Sequence, residues 1–143
     1  MKRNKIALLL GIVLLSALFA NCCDAAAVSK LKITVGDTVL TATLLDNVTA
    51  RAFVTKLPQT LPMQDLYGRE MVYRFLDPLP TDNVQTTGYT VGEIIYWPPR
   101  HSFVIMYAQN GERFSMQKVG HIDVGVEFFR NTGNVDVTFE ALN

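Results

Sequence analysis

The sequence predicts a mainly β chain: a closed or nearly closed antiparallel barrel of about eight strands with one or two short helices. Three observations predict it. Short runs alternate apolar and polar residues, as half-buried strands do. Gly, Pro and Asn punctuate those runs as turns. One stretch alone carries convincing helical periodicity. A closed barrel is the expected outcome because it removes the sheet edges that invite aggregation.

The elements follow in order. Residues 31–35 alternate Leu31, Ile33 and Val35 with Lys32 and Thr34. Gly36-Asp37 is a turn, and 38–44 then sets Leu40, Ala42 and Leu44 against Thr41 and Thr43. Two runs so spaced predict a β-hairpin. Asp46 and Asn47 are good helix N-caps. Behind them Ala50, Phe53, Val54 and Leu57 fall on one helical face, and Pro58 ends the helix. Asn47-Val48-Thr49 matches a glycosylation sequon, but its place at a helix start favours capping.

Strands resume over 61–67 and 69–75, joined at Gly68. Residues 77–88 hold two prolines and read as a long irregular loop, which in a compact domain is often a rim element. Further strands cover 93–97, 102–108 and 113–119, separated by Pro98-Pro99 and Asn110-Gly111. Residues 123–129 show no clear period and admit a short helical turn. The last run alternates Val135, Val137, Phe139 and Ala141 with Asp136, Thr138 and Glu140.

The N-terminus has the layout of an export signal. Lys2, Arg3 and Lys5 precede a nearly unbroken apolar run over 6–20, and small residues follow. The run is shorter than the roughly 20 residues a spanning helix needs. The expected organisation is a signal peptide over 1–27 and one domain over 28–143. Ala25-Ala26-Ala27 offers one cleavage site. Phe19-Ala20-Asn21-Cys22 resembles a lipobox, which makes Cys22 a candidate for lipidation and membrane tethering. The expected location is the periplasm or cell envelope.

The 143 residues carry 13 basic and 13 acidic side chains. Taking away the leader's Lys2, Arg3, Lys5 and Asp24 leaves ten basic and twelve acidic. That balance is wrong for a non-specific nucleic-acid surface. Both cysteines, Cys22 and Cys23, lie in the leader, so no disulfide framework or cysteine zinc site is expected in the domain.

The chain has no GxGxxG, phosphate-loop or G-x-S-x-G motif, so no nucleotide cofactor and no serine nucleophile is expected. His101 and Ser102 are adjacent on a strand start and face opposite ways. His121 and Asp123 share one face of an extended chain, and an aspartate so placed can orient an imidazole. The plainer reading is a polar pair that ties down a turn, and two histidines make a thin metal set. No catalytic and no metal residues are therefore assigned. The surplus is apolar: Met63, Tyr96, Phe103, Met106 and Phe114, with His121, are the candidate lining of a ligand groove. Trp97, beside Pro98-Pro99, is the least core-like aromatic and a candidate rim residue.

The segment Gly92-Glu93-Ile94-Ile95-Tyr96-Trp97-Pro98-Pro99, followed by Phe103-Val104-Ile105-Met106-Tyr107, resembles the bacterial cyclophilin-like family of small β-barrels. Two further segments agree: 46–53 leading to Leu57-Pro58 and Leu61-Pro62-Met63, and Val119-Gly120-His121-Ile122. The resemblance covers 31–142 and implies an eight-stranded barrel capped by helices. It does not carry over an activity. True cyclophilins are prolyl isomerases with an arginine on the strand after the first helix and a Phe-Met-x-Gln run beyond it. Here that strand reads Gln59-Thr60-Leu61-Pro62-Met63-Gln64-Asp65, without an arginine. Arg69, Arg74 and Arg100 are the arginines elsewhere that are candidates to reach a groove. The expectation is an exported, non-catalytic module binding a peptide or small molecule; the alternative is a weak or divergent prolyl isomerase.

Overall fold

The computed structural model describes residues 28–142. The expected signal peptide over 1–27, with Cys22, lies outside the described residues. Strands β1 (Lys30–Val35) and β2 (Thr38–Leu44) form the expected hairpin, paired from Lys30↔Thr43 to Val35↔Thr38. Helix α1 (Val48–Val54) follows. Then come β3 (Gln59–Leu66), β4 (Glu70–Arg74), β5 (Gln85–Thr87), β6 (Glu93–Trp97), β7 (Ser102–Met106), β8 (Phe114–Ile122) and β9 (Val135–Leu142). Two 3-10 segments, Pro98–Arg100 and Val126–Asn131, complete the order.

Eight of these strands close a ring: β1, β2, β8, β6, β7, β4, β3, β9 and back to β1, antiparallel throughout. The short β5 pairs with the start of β8 as a ninth strand. This is the mainly β, closed eight-stranded barrel that the alternation predicted.

Three details differ from the sequence reading. The helix stops at Val54 rather than running to Leu57, because Lys56 and Leu57 donate to Phe53 and Val54 three residues back and tighten the last turn. Strand β8 continues past Val119 to Ile122, because Gly120 and its neighbours pair with β2 and β6 at once. Strand β5 lies inside the stretch expected as loop; its Gln-Thr-Thr sequence has no apolar alternation to betray it.

The interior is filled. Phe53 of α1 drops into one end and stacks on Phe103 of β7, ring centroids 4.1 Å apart and planes 12° apart. Phe139 of β9 meets both edge-on, at 5.4 and 5.7 Å. Leu31, Ile33, Ile94, Ile105 and Val137 complete this core with no exposed area. Asn47 holds α1 over it: its carbonyl oxygen accepts from Ala50 N at 3.0 Å and its amide donates to the Lys118 carbonyl at 2.8 Å. Both functions of the sequon's asparagine are thus taken up in capping and tethering, as the helix-start reading expects. The following loop closes the same end, with Leu79 N–H donating to the Tyr96 hydroxyl at 2.9 Å and Thr49 donating to the Pro80 carbonyl at 2.6 Å.

Candidate functional site: a cleft on the outer face of the barrel

Strands β4, β7 and β6 are apolar on both faces. Met71, Ile105 and Ile94 point inward, and Val72, Val104 and Ile95 point outward. The outward set joins Tyr89, Met106 and Met116 in a second apolar layer, flanked by Leu66 and Phe114. Loops cover part of this layer. The uncovered part is a cleft of about 420 Å³. Val72 and Val104 form its floor and Phe114 one wall.

Strand period sets charged groups at its two ends. Glu70, Val72 and Arg74 lie at alternate positions of β4 and so share the outer face. Glu70 and Arg74 are about 13 Å apart along the strand. At the Glu70 end, Arg69 Nε donates to Glu70 at 3.1 Å and its Nη1 binds Glu112. The guanidinium lies over the Tyr67 and Phe114 rings, 5.5 and 5.8 Å from their centroids. Burial pushes the Glu70 carboxyl up, against the pull of Arg69. The hydrogen bond from Arg69 holds exposed Glu112 down.

The other end is different. Arg74, Ser102 and Trp97 face one another across β4, β7 and β6, and Arg100 follows in the 3-10 segment. Arg74 Nη1 donates to Gln64 at 3.1 Å, and its buried Nε has no acceptor. Neither Arg74 nor Arg100 has a carboxylate partner among the described residues. Arg74 also borders a second hollow of about 870 Å³, which reaches Met63 and Gln64 on β3.

The six candidate groove residues do not meet in one groove. Phe114 lines the cleft and Met106 lies in the apolar layer beneath it. Met63, Tyr96 and Phe103 are in the barrel interior, each at most 1% exposed. His121 is exposed near the far end of β8, seven residues and about 23 Å from Phe114. Asp123 does not orient it: the carboxylate accepts from Thr43, Thr41 and Lys30 at 2.6, 2.7 and 2.9 Å. Those bonds tie the turn after β8 to β1 and β2 through Asp123 alone, without His121. No group of three or more His, Cys, Asp or Glu able to hold a metal occurs among the described residues.

The sequence reading placed Trp97 at a rim and named Arg69, Arg74 and Arg100 as able to reach a groove; all four line the cleft. It missed Val72, Val104 and Glu70. The i, i+2, i+4 alternation of Glu70, Val72 and Arg74 was the available signal.

Fold and cleft together define a closed small barrel with an apolar cleft on its outer face. The chain belongs to the cyclophilin-like family, whose model matches residues 33–140. The solution structure of a hypothetical protein from Archaeoglobus fulgidus is similar over 84% of this chain and 99% of that one, with 15% identity and a TM-score of 0.64. That likeness concerns the fold alone. No curated protein matches the chain.

Proposed function

We propose that this cyclophilin-like barrel is an exported, envelope-located module that binds a peptide or small ligand in the outer cleft over β4, β7 and β6. The observation that carries the reading is the cleft's composition. An apolar floor of Val72 and Val104 is set between polar ends, while the barrel interior is filled by its own side chains. Small-ligand sites combine such apolar walls with a few placed polar groups. The apolar run and basic start of residues 1–20 support export, and Cys22 would be the point of lipid attachment.

Trp97 is the single tryptophan and lines the cleft, so its fluorescence reports occupancy. Titration of the full chain with acetyl-Ala-Pro-Phe amide should shift and saturate that emission, and Val104→Lys should abolish the change. An emission unchanged by this peptide, and by apolar small molecules, would overturn the reading.

A second reading, a divergent prolyl isomerase, draws support from Arg74. Twisting an X-Pro bond costs about 20 kcal/mol, and a donor fixed near the amide lowers that barrier. Arg74 is on the neighbouring strand to the one where cyclophilins carry their arginine, and it borders the cleft. Exchange NMR on the same peptide decides: faster cis–trans exchange, lost in Arg74→Gln, supports catalysis, and unchanged exchange with bound peptide supports binding alone.

A further inference from the structure

The charge in the cleft is unevenly distributed. At one end Arg69 is matched by Glu70 and Glu112. At the other, Arg74 and Arg100 stand beside Trp97 and Ser102 with no carboxylate partner among the described residues. Arg74 engages a neutral amide oxygen of Gln64 and leaves a buried Nε–H without an acceptor. The Nε is closed to the cleft and Nη1 is taken by Gln64, so Arg74 meets a ligand through Nη2, a charged donor for which a carboxylate is the strongest acceptor.

Resting on the proposal that the cleft binds ligands, we infer that its ligand is an apolar molecule bearing one carboxylate, with the anionic head at the Arg74–Arg100 end. The apolar body lies over Val72 and Val104 toward Phe114. The reverse orientation is disfavoured because it brings the head to Glu70 and Glu112, which already occupy the Arg69 guanidinium. The exposed Arg100 guanidinium can match a carboxylate with two parallel N–H donors, which a lysine cannot do. The shared chemistry has two sources, a free peptide C-terminus or an alkanoic acid.

The test compares matched probes on the full chain by Trp97 fluorescence and calorimetry. One pair is acetyl-Ala-Pro-Phe with a free carboxylate and the same peptide as its amide. The other is octanoate and octanamide. In at least one pair the carboxylate should bind about tenfold tighter than the amide, and added salt should shrink that ratio. The pair that shows it identifies the source. Arg100→Gln, at an exposed position, should reduce the ratio severalfold, and Arg74→Gln should bring it near one. Arg130→Gln removes the same charge outside the cleft and should leave it intact. Equal binding of carboxylate and amide in both pairs, or a preference that survives Arg74→Gln and Arg100→Gln together, would overturn this inference while leaving the cleft as a binding site. Absence of binding by all four probes would overturn both.

Discussion

The imidazole of His121 occupies the space in which a side chain on Gly92 would begin: a Cβ built there lies 2.6 Å from His121 Cε1 and 2.8 Å from Nε2. Gly92 also sits at φ +99°, where L residues rarely go. Its carbonyl accepts from Ile122 N at 2.8 Å and its N–H donates to the Met106 carbonyl at 2.7 Å. Gly92 thus links β7 to β8 where the barrel closes, and His121 packs on it. The two family-like segments around Gly92 and His121 meet as a structural seam.

Gly92→Ala should therefore destabilise the barrel by about 1–3 kcal/mol through backbone strain and displacement of the imidazole. Gly120→Ala should cost more. There a Cβ would stand 2.5 Å from the Thr43 carbonyl oxygen, part of the β2 backbone and unable to swing aside. Thermal unfolding of the two variants checks the order. His121→Ala should relieve part of the Gly92→Ala loss and none of the Gly120→Ala loss.

Asp123 makes one region of the acid unfolding curve assignable. Hydrogen bonds from Thr43, then Lys30, lower its carboxyl from 3.8 to about 2. The unfolded chain takes up this proton first as pH falls. The stability it contributes is complete above pH 3.8 and is lost toward pH 2. Glu70 is shifted the opposite way by burial, so the comparison must be with a variant. Asp123→Asn should show a smaller fall in Tm than the parent between about pH 5 and pH 2. Parallel curves would contradict this role.

Tyr96 is buried, and its hydroxyl accepts the Leu79 N–H at 2.9 Å. Tyr96→Phe keeps the ring but leaves that buried donor unpaired. The expected loss is about 1–3 kcal/mol in denaturant unfolding. Faster amide exchange at Leu79 should accompany it, because the hydroxyl, together with the Thr49 bond to Pro80, holds the loop over the barrel end.

Phe53 is the side chain that joins helix to barrel. It is fully buried and touches the Phe103 and Phe139 rings at stacking and edge distances. Phe53→Ala should cost about 3–5 kcal/mol. Ala52→Ser, on the same helix at a half-buried position, should cost much less.

The hairpin, the helix start and most strands are legible in the sequence because each has one buried face, and burial imposes a period. The cleft is less legible for the same reason. Strand β7 reads Ser-Phe-Val-Ile-Met and is buried at every position, so its parity leaves no mark. Phe103 and Val104 are equally apolar, yet one lies in the barrel interior and the other forms the cleft floor. Large aromatics such as Tyr96 drew the choice of groove residues, and the floor is made of small valines instead. Trp97 is legible because it stands beside a Pro-Pro turn, whereas Arg69, Arg74 and Arg100 are candidates only through the cyclophilin resemblance, whose strand arginine has no match here.

On the proposed reading the outer cleft, not the barrel lumen or the His121 end, receives the ligand. Amide chemical-shift mapping on the full chain during titration with acetyl-Ala-Pro-Phe, as carboxylate and as amide, tests it most directly. Saturable shifts should concentrate at Val72, Arg74, Trp97, Val104 and Phe114, with Gly92 and His121 unmoved. Shifts centred on Gly92 and His121, or none at saturating peptide, would contradict it.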